Sequence, residues 1–178
     1  MRLFIAIELP KEVQQHLKEL QQRFTKTGKI TFTKEQHLTL KFLGETTTTE
    51  AKQIVQQLSE ITFQPFRLTL SGIGFFPDEN NARVLWAGLQ LNNEINDLQQ
   101  KIDKTLEKKF EKEQNFVPHI TLGRIKTITN KTQFHKLAQG TKVEPLKILV
   151  KEFKFIESKQ SPKGPTHKTV KIYSAKGL

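Results

Sequence analysis

The spacing of apolar and polar residues predicts a regular succession of strands and helices. Residues 3–9 and 85–91 are apolar enough to form strands that are buried on both faces. After each strand, apolar residues recur every three or four positions, which predicts a helix with one buried face. The apolar stripe of the first helix is Val13, Leu17, Leu20 and Phe24, and that of the second is Ile95, Leu98, Ile102, Leu106 and Phe110.

Two further helices are predicted at residues 47–61 and 130–139. The first opens with Thr47 and Glu50, which have the spacing of a capping box, where each side chain binds the other residue's backbone amide. Such a pair is typical of the first turn of a helix. The remaining regular segments are predicted as strands at residues 65–70, 83–89, 145–150 and 168–174.

The order of these elements occurs twice along the chain. Residues 3–9 align without gaps on residues 85–91, and the helices that follow keep the same offset of 82 positions. In each half a strand with polar residues, a helix and two more strands come next. We interpret this as an internal duplication of two halves, at about residues 1–82 and 83–178. If such halves pack about a pseudo-twofold axis, equivalent residues face each other across a cleft.

One polar motif stands at the centre of both halves. His37 begins the tetrapeptide HLTL, and His119 begins HITL, 82 residues later. Since the side chains of a strand alternate between its two faces, His37 and Thr39 point the same way, as do His119 and Thr121. One such motif alone is typical of an ordinary strand with a polar face. Because two of the 5 histidines carry it at equivalent positions, we interpret the pair as a functional site.

These side chains suit the cleavage of a phosphate ester. Imidazole titrates close to neutral pH, so one histidine can accept a proton while the other donates one. The hydroxyl groups of Thr39 and Thr121 can donate hydrogen bonds to phosphoryl oxygens. Arg124 adds a guanidinium group that fits phosphate, but in a regular strand it points away from His119. It reaches the site only with a bend or a bulge near Gly123.

The other histidines and the aromatic residues point to the site less directly. His16 is expected at the boundary of the core and His135 on an exposed helix face. His167 borders a basic loop predicted at residues 157–166, from where it can approach a substrate. None of these histidines has the spacing of a metal site. Three aromatic residues that can stack on a base are instead expected in the core, namely Phe42, Phe116 and Tyr173.

Composition narrows the class of protein. Apolar residues make up 35% and charged residues 26% of the chain, which suits a globular protein rather than a disordered one. No apolar run approaches the roughly 18 residues of a membrane span, and the first residues predict a strand rather than a secretory signal. The lack of cysteine excludes disulfides and cysteine zinc sites, and fits a reducing cytoplasm. The net charge of +11 attracts polyanions such as nucleic acid.

Residues 36–45, QHLTLKFLGE, and residues 117–124, VPHITLGR, resemble the paired motifs of the two-histidine (2H) phosphoesterases. The resemblance is greatest to the bacterial and archaeal branch of RNA 2′,3′-cyclic phosphodiesterases, historically called 2′-5′ RNA ligases. Residues 1–7 and 83–89 are also similar to that branch, so the likeness spans essentially the whole chain. The chain departs from the pattern at residues 164–167, GPTH, because a tyrosine often follows Gly-Pro in the family.

The resemblance implies a bilobal, internally duplicated α+β fold, with an antiparallel sheet in each lobe, helices on the outer faces and the active site in the cleft between the lobes. It implies a single two-lobed domain over residues 1–178. The implied reaction is hydrolysis of an RNA terminal 2′,3′-cyclic phosphate to a 2′-phosphomonoester, with no metal and no cofactor. By this likeness His37 is the proton donor and His119 the proton acceptor. The matching phosphate-binding residues are Thr39, Thr121 and Arg124.

We therefore expect a cytoplasmic, monomeric enzyme that acts on RNA ends carrying a cyclic phosphate and does not bind membranes. The same site can also run backwards as a 2′-5′ RNA ligase. Two alternatives stay open: a phosphodiesterase for small cyclic nucleotides or 2′-5′ oligonucleotides, and an RNA-binding module without catalysis. The charge of +11 suits the RNA-binding module, whereas the duplicated His–Thr motif does not.

Overall fold

The computed structural model describes residues 1–162 and 164–177, in which strands and helices succeed one another along the chain. The strands are β1 (Arg2–Glu8), β2 (Gly28–Phe32), β3 (His37–Glu45), β4 (Phe66–Phe76), β5 (Val84–Leu89), β6 (His119–Ile128), β7 (Lys147–Val150), β8 (Glu152–Lys159) and β9 (Thr166–Ser174). The helices are α1 (Lys11–Arg23), α2 (Thr48–Leu58), α3 (Asn93–Leu106) and α4 (Lys131–Gly140). In the described part of the chain, no helix has both the length and the apolar character that a membrane crossing requires.

The strands pair in antiparallel fashion along the path β7-β4-β5-β6-β3-β1-β8-β9, and β2 pairs with β6. The four strands on each side of the junction between β6 and β3 form the two lobes, which meet where Leu38 pairs with Ile120. The expected duplicated α+β fold with an antiparallel sheet in each lobe is confirmed. The halves also exchange strands, because β4 pairs with β5 in the second lobe and β8 pairs with β1 in the first. Neither half therefore completes a lobe alone.

The main hydrophobic core lies between the helices and one face of the sheets. In β1, Leu3 and Ile5 are buried in this core together with the apolar stripes of the helices. Phe4 and Ala6 alternate with them and point to the opposite face, where they pack on Ile156 of β8 in a separate cluster. The helices thus cover one face of the sheets, and the other face is left for a site.

The helix predictions are confirmed with small shifts at the ends. α2 begins after Thr47, whose side chain forms the expected capping box with Glu50. α4 begins after Asn130, whose side chain caps its first turn. α3 ends at Leu106, so Phe110, which the pattern placed on the helix, packs on the core from the segment that follows.

Two parts of the strand prediction are wrong. The loop expected at residues 157–166 is shorter, because β8 continues to Lys159 and β9 begins at Thr166, and Lys159 pairs with Thr166. In addition, β2 and β8 have no counterparts among the predicted strands. Both pair with strands that are distant in sequence, β6 and β1, so long-range hydrogen bonds rather than local apolar spacing establish them.

Candidate active site

A cavity of about 780 Å³ opens on the sheet face that the helices do not cover. Four of the five predicted site residues line it, namely His37, Thr39, Thr121 and Arg124. His119 is not among the lining residues, but it starts β6 two positions before Thr121. Because the cavity lies where the two lobes meet, the structure brings the two His–Thr motifs together.

The register of the two central strands sets the motifs opposite each other. The residue that follows the histidine in each motif, Leu38 of β3 or Ile120 of β6, pairs with its counterpart in antiparallel orientation. The same register places each histidine across from the threonine of the other motif. Directly opposite residues of an antiparallel pair have β-carbons about 5 Å apart. By this register the two His–Thr motifs share one face at the junction between β3 and β6.

A β-bulge in β6 turns Arg124 toward the site. The pairing of β6 with β5 passes from Thr121 to Gly123, so Leu122 is an extra residue that shifts the alternation of side chains. Arg124 therefore shares the face of the His–Thr motif and lines the cavity. β2 runs so close to this bulge that a β-carbon on Gly123 would lie 2.8 Å from the side chain of Ile30. The structure thus contains, next to Gly123, the bulge without which Arg124 would point away from the site.

An equivalent bulge in β3 turns Phe42 toward the cavity. Here the pairing with β1 skips Leu40, and the next outward residue is Phe42, at the position that Arg124 holds in the other half. The Phe42 side chain is 67% exposed and lines the cavity. The expectation that it lies in the core is wrong, because strict alternation assigns it to the buried face. Phe116 and Tyr173 do pack on the core as expected.

Polar side chains from the helices hold both bulges. The Gln21 amide on α1 donates hydrogen bonds to the carbonyl oxygens of Leu122, at 2.7 Å, and Thr33, at 2.8 Å. In the other half the equivalent residue is Asp103 on α3, which forms a buried ion pair with Lys41, the residue after the bulge of β3. The bulges are therefore built into the packing of the helices on the sheets.

The backbone orients both histidine rings. Nδ1 of His37 lies 3.0 Å from the carbonyl oxygen of Glu35, and Nδ1 of His119 lies 2.7 Å from that of Val117. A carbonyl oxygen only accepts hydrogen bonds, so Nδ1 carries a hydrogen in each ring. Nε2 is therefore the atom that remains for proton transfer in both motifs.

The surroundings of the two histidines differ, although their backbones are equivalent. The ring of His119 packs edge-on against Phe76, with 4.9 Å between ring centres. The ring of His37 packs on Phe4 at 4.9 Å and edge-on against His167 at 5.2 Å. The neighbour of His37 is thus a second imidazole, that of His167, whereas the neighbour of His119 is the apolar ring of Phe76.

Burial is the main reason that the pKa of His37 is lowered from 6.5 to about 4. The hydrogen bond to the carbonyl group of Glu35 raises this pKa, and the neighbouring His167 lowers it further. In the free protein the His37 imidazole is therefore neutral at pH 7. A negative charge placed beside the ring favours its protonated form, so an anionic ligand raises this pKa.

The three remaining histidines lie in different places from one another. His167 is part of the site, next to His37, and its signal in the sequence was its position at the border of the basic loop. His16 lies at the core boundary as expected, where Nε2 accepts a hydrogen bond from the amide of Glu144. His135 is half-buried, with Nδ1 2.7 Å from the carboxylate of Glu79, so the expectation of an exposed residue is wrong.

Comparison with known proteins identifies the family. The sequence pattern of the family described as LigT like phosphoesterase matches residues 7–86 and, a second time, residues 89–167. This chain belongs to the LigT-like phosphoesterases. The two matches coincide with the two halves of the chain, in agreement with the internal duplication. The predicted resemblance to the 2H phosphoesterases is thereby confirmed.

Relatives of this LigT-like phosphoesterase extend over the whole chain. An RNA 2′,3′-cyclic phosphodiesterase of Methanocaldococcus jannaschii is 33% identical over 96% of this chain and 99% of its own. One of Thermotoga maritima is 33% identical over 96% of this chain and 93% of its own. A crystal structure of a Thermus thermophilus protein superposes with a TM-score of 0.81, at 28% identity and over 99% of both chains. The fold is also that of E. coli LigT, with a TM-score of 0.79 at 23% identity over 98% of this chain and 96% of that one.

Proposed function

We propose that this LigT-like phosphoesterase hydrolyses the terminal 2′,3′-cyclic phosphodiester of RNA to a 2′-phosphomonoester. The observation that carries the proposal is the pair of His–Thr motifs that face each other across β3 and β6 beside the cavity. Relatives named RNA 2′,3′-cyclic phosphodiesterase support the substrate class. The net charge of +11 supports a polyanionic partner.

In the proposed mechanism His119 is the general base and His37 the general acid. Nε2 of His119 takes a proton from a water molecule, and the water oxygen attacks the phosphorus atom. The bond between phosphorus and the ribose O3′ breaks, and Nε2–H of His37 gives its proton to O3′. The phosphate stays on O2′, His119 gives its proton to solvent, and His37 takes up a proton from solvent when the next substrate molecule binds.

The phosphate is held from both strands. The hydroxyl groups of Thr39 and Thr121 and the guanidinium group of Arg124 line the cavity around the point where the motifs meet. They donate hydrogen bonds to the non-bridging oxygens, whose charge increases as water attacks. Arg124 is suited to bind two of these oxygens at once.

The substrate itself supplies the condition under which His37 acts as an acid. The buried imidazole is neutral at pH 7 in the free protein because its pKa is about 4. The phosphodiester anion beside the ring raises this pKa, so we propose that His37 takes up its proton together with the substrate. Once O3′ has taken this proton, His37 is again the neutral imidazole that its low pKa favours in the empty site.

We also propose that the protein is a cytoplasmic monomer whose residues 1–178 make one two-lobed domain of two halves, about residues 1–82 and 83–178. The exchange of β4 and β8 between the lobes supports the single domain, because each lobe needs strands from both halves. The lack of cysteine supports the location. No cofactor takes part in the proposed reaction.

Product analysis tests the proposed function. An RNA oligonucleotide with a terminal 2′,3′-cyclic phosphate is incubated with the protein, with and without EDTA, and the product is analysed by ³¹P NMR. We expect a 2′-phosphomonoester, because O3′ is the leaving atom. We expect EDTA to leave the rate unchanged, since no group of three His, Cys, Asp or Glu side chains within residues 1–162 and 164–177 is arranged to hold a metal ion.

Other products would identify the alternatives. A 3′-phosphate would show that O2′ leaves, which reverses the assignment of the two ribose oxygens. RNA that binds without being altered would establish an RNA-binding module instead of an enzyme. Faster turnover of a 2′-5′ linked oligonucleotide than of the cyclic end would assign the same site to that linkage.

Phe42 offers a stacking surface for the terminal base, and we expect Phe42→Ala to lower kcat/KM for the RNA end by about 5- to 100-fold. This range corresponds to about 1–3 kcal/mol for one base stacked on an aromatic ring. The exposed Phe42 ring lies at the cavity, on the strand that carries His37. Steady-state kinetics on one oligonucleotide measure the effect, which we expect mainly in KM.

The matched control for Phe42 is Leu91→Ala, which removes another exposed apolar side chain at a position that does not line the cavity. We expect this variant to keep the wild-type KM. An RNA end whose last nucleotide lacks its base should react equally well with wild type and Phe42→Ala. If the abasic end still distinguished the two proteins, Phe42 would act through the fold and not through the base.

A further inference from the structure

The cavity continues beyond the two motifs along β1, β8 and β9, where hydrogen-bond donors line it. These donors are the guanidinium group of Arg2, the hydroxyl of Ser158, the side-chain amide of Gln160 and the imidazole of His167. The mechanism above uses none of them. An arm of the cavity that is lined by donors and continuous with the phosphate site points to a second anion.

Three of these donors stand in one row across three strands. Arg2 of β1 pairs with Ser158 of β8, which in turn pairs with His167 of β9. Residues that pair directly across an antiparallel sheet point to the same face. Since neighbouring strands are about 5 Å apart, the backbones of Arg2 and His167 are about 10 Å apart. Their side chains can therefore reach one anion from two sides.

Arg2 and His167, at the two ends of this row, have side chains that suit an anion. Arg2 is exposed, and in the part of the chain that the structure describes its side chain has no hydrogen bond or ion pair. Nδ1 of His167 lies 3.0 Å from a carboxylate oxygen of Glu35, so Nδ1 carries a hydrogen and Nε2 is left for a ligand.

We propose that Arg2 and His167 bind the phosphodiester that joins the terminal nucleotide of an RNA to the preceding one. The inference rests on the proposed function, which places the cyclic phosphate between the two motifs. His167 is in ring contact with His37, at 5.2 Å between ring centres, so this subsite adjoins the reacting phosphate. The nearest other anion of the substrate is the phosphodiester on the 5′ side of the same nucleotide. A nucleoside 2′,3′-cyclic phosphate lacks it, so the subsite selects RNA over mononucleotides.

The test compares two substrates, a dinucleotide with a terminal 2′,3′-cyclic phosphate and the corresponding nucleoside 2′,3′-cyclic phosphate. The RNA preference is the ratio of their kcat/KM values. We expect a preference of about 10- to 100-fold in the wild type, the range for hydrogen bonds to a charged group, and we expect it mainly in KM. Arg2→Ala and His167→Phe should each lower this preference by about tenfold. The phenylalanine ring keeps the packing on Phe4 and His37 while it removes the nitrogen atoms.

A chemical probe isolates the proposed contact from the rest of the substrate. A dinucleotide in which a neutral methylphosphonate replaces the linking phosphodiester keeps both nucleosides and the cyclic phosphate. We expect the wild type to lose most of its RNA preference on this substrate. The Arg2→Ala variant should respond about tenfold less than the wild type to the same replacement, because only the His167 contact to the charge remains.

Lys168→Ala is the matched control, since it also removes one positive charge but at a position that points to the other face of β9 and pairs with Glu157. It should keep the wild-type preference. A wild-type preference near one, or a preference that both subsite variants retain, would overturn the inference. Equal slowing of both substrates by His167→Phe would also overturn it, because His167 would then position His37. If the wild type hydrolysed neither substrate, the proposed function would fail, and this inference with it.

Discussion

Replacement of either His37 or His119 by alanine will lower kcat for hydrolysis of a cyclic-phosphate RNA end by about 10²- to 10⁴-fold. This is the range for loss of a positioned general acid or base. Each ring is held through Nδ1, by the carbonyl oxygen of Glu35 or of Val117, which leaves Nε2 for proton transfer. Single-turnover kinetics at saturating RNA measure the chemical step directly. The double variant should lose little more than either single variant, because the two histidines act as a unit.

A substrate with sulfur in place of O3′ separates the two roles. A thiolate leaves without being protonated, so this substrate should restore most of the rate to His37→Ala and little of it to His119→Ala. If sulfur restored the rate of His119→Ala but not that of His37→Ala, His119 would be the acid and His37 the base. His135→Ala is the control, since this histidine binds Glu79 away from the cavity and its loss should leave kcat unchanged. Full activity in His37→Ala or His119→Ala would contradict the assignment of that residue.

Replacement of Asp103 by alanine will lower the free energy of unfolding by about 3–5 kcal/mol, the cost of leaving one partner of a buried ion pair alone. Asp103 and Lys41 are both buried, at 1% and 7% exposure. The Lys41 ammonium group keeps a hydrogen bond of 2.7 Å to the carbonyl oxygen of Glu111, but it loses its counter-charge. Urea denaturation at neutral pH measures the difference.

Two comparisons make this result specific to burial. Glu8→Ala breaks the ion pair between Glu8 and Lys154, in which the glutamate side chain is 62% exposed, and should cost at most about 1 kcal/mol. Replacement of both Lys41 and Asp103 by apolar residues of similar volume should cost less than Asp103→Ala alone, because no unpaired charge remains. An equal loss from Glu8→Ala and Asp103→Ala would contradict the argument.

The contribution of Asp103 to the free energy of unfolding will also depend on pH. Burial by itself raises the pKa of Asp103, but hydrogen bonds from Lys41, Gln99 and the backbone amide of Glu113 outweigh it, so the pKa lies below its ordinary value of 3.8. On acidification the unfolded chain then takes up this proton before the folded protein does. The contribution is present above pH 3.8 and is lost as pH falls through the lowered pKa. The gap between wild type and Asp103→Ala should therefore narrow in strong acid, and a gap of constant size would assign the stability to another group.

The Lys41–Asp103 pair also links stability to the site. Lys41 follows the bulge that turns Phe42 to the cavity, and Gln21 holds the matching bulge that turns Arg124. Neither bulge follows from the alternation of residues in its own strand. Each results from pairing with a neighbouring strand and from a polar contact with a helix, and both of these depend on residues far away in the chain.

The histidine motifs are predictable for a simple reason. His37 and Thr39, like His119 and Thr121, are two positions apart in a strand, and this spacing alone puts them on one face. The capping box of α2 is likewise a matter of residues within one helical turn. The duplication is visible because one offset of 82 positions relates the first strand, the helix after it and the His–Thr motif to their counterparts in the second half. All of these features depend on residues that are near in sequence or on comparison of the chain with itself.

The position of His167 beside His37, in contrast, depends on the pairing of β9 with β8 and of β8 with β1. The exposure of Phe42 and the orientation of Arg124 depend on the two bulges. Local spacing decides which residues form each strand and which face they share, because neighbouring backbone groups set those directions. Tertiary structure decides which strands lie side by side and in which register, because those hydrogen bonds join residues that are distant in the chain. The position of each His–Thr pair on one strand face was therefore predictable from the residues, whereas the cavity in which the two pairs meet is a product of the fold.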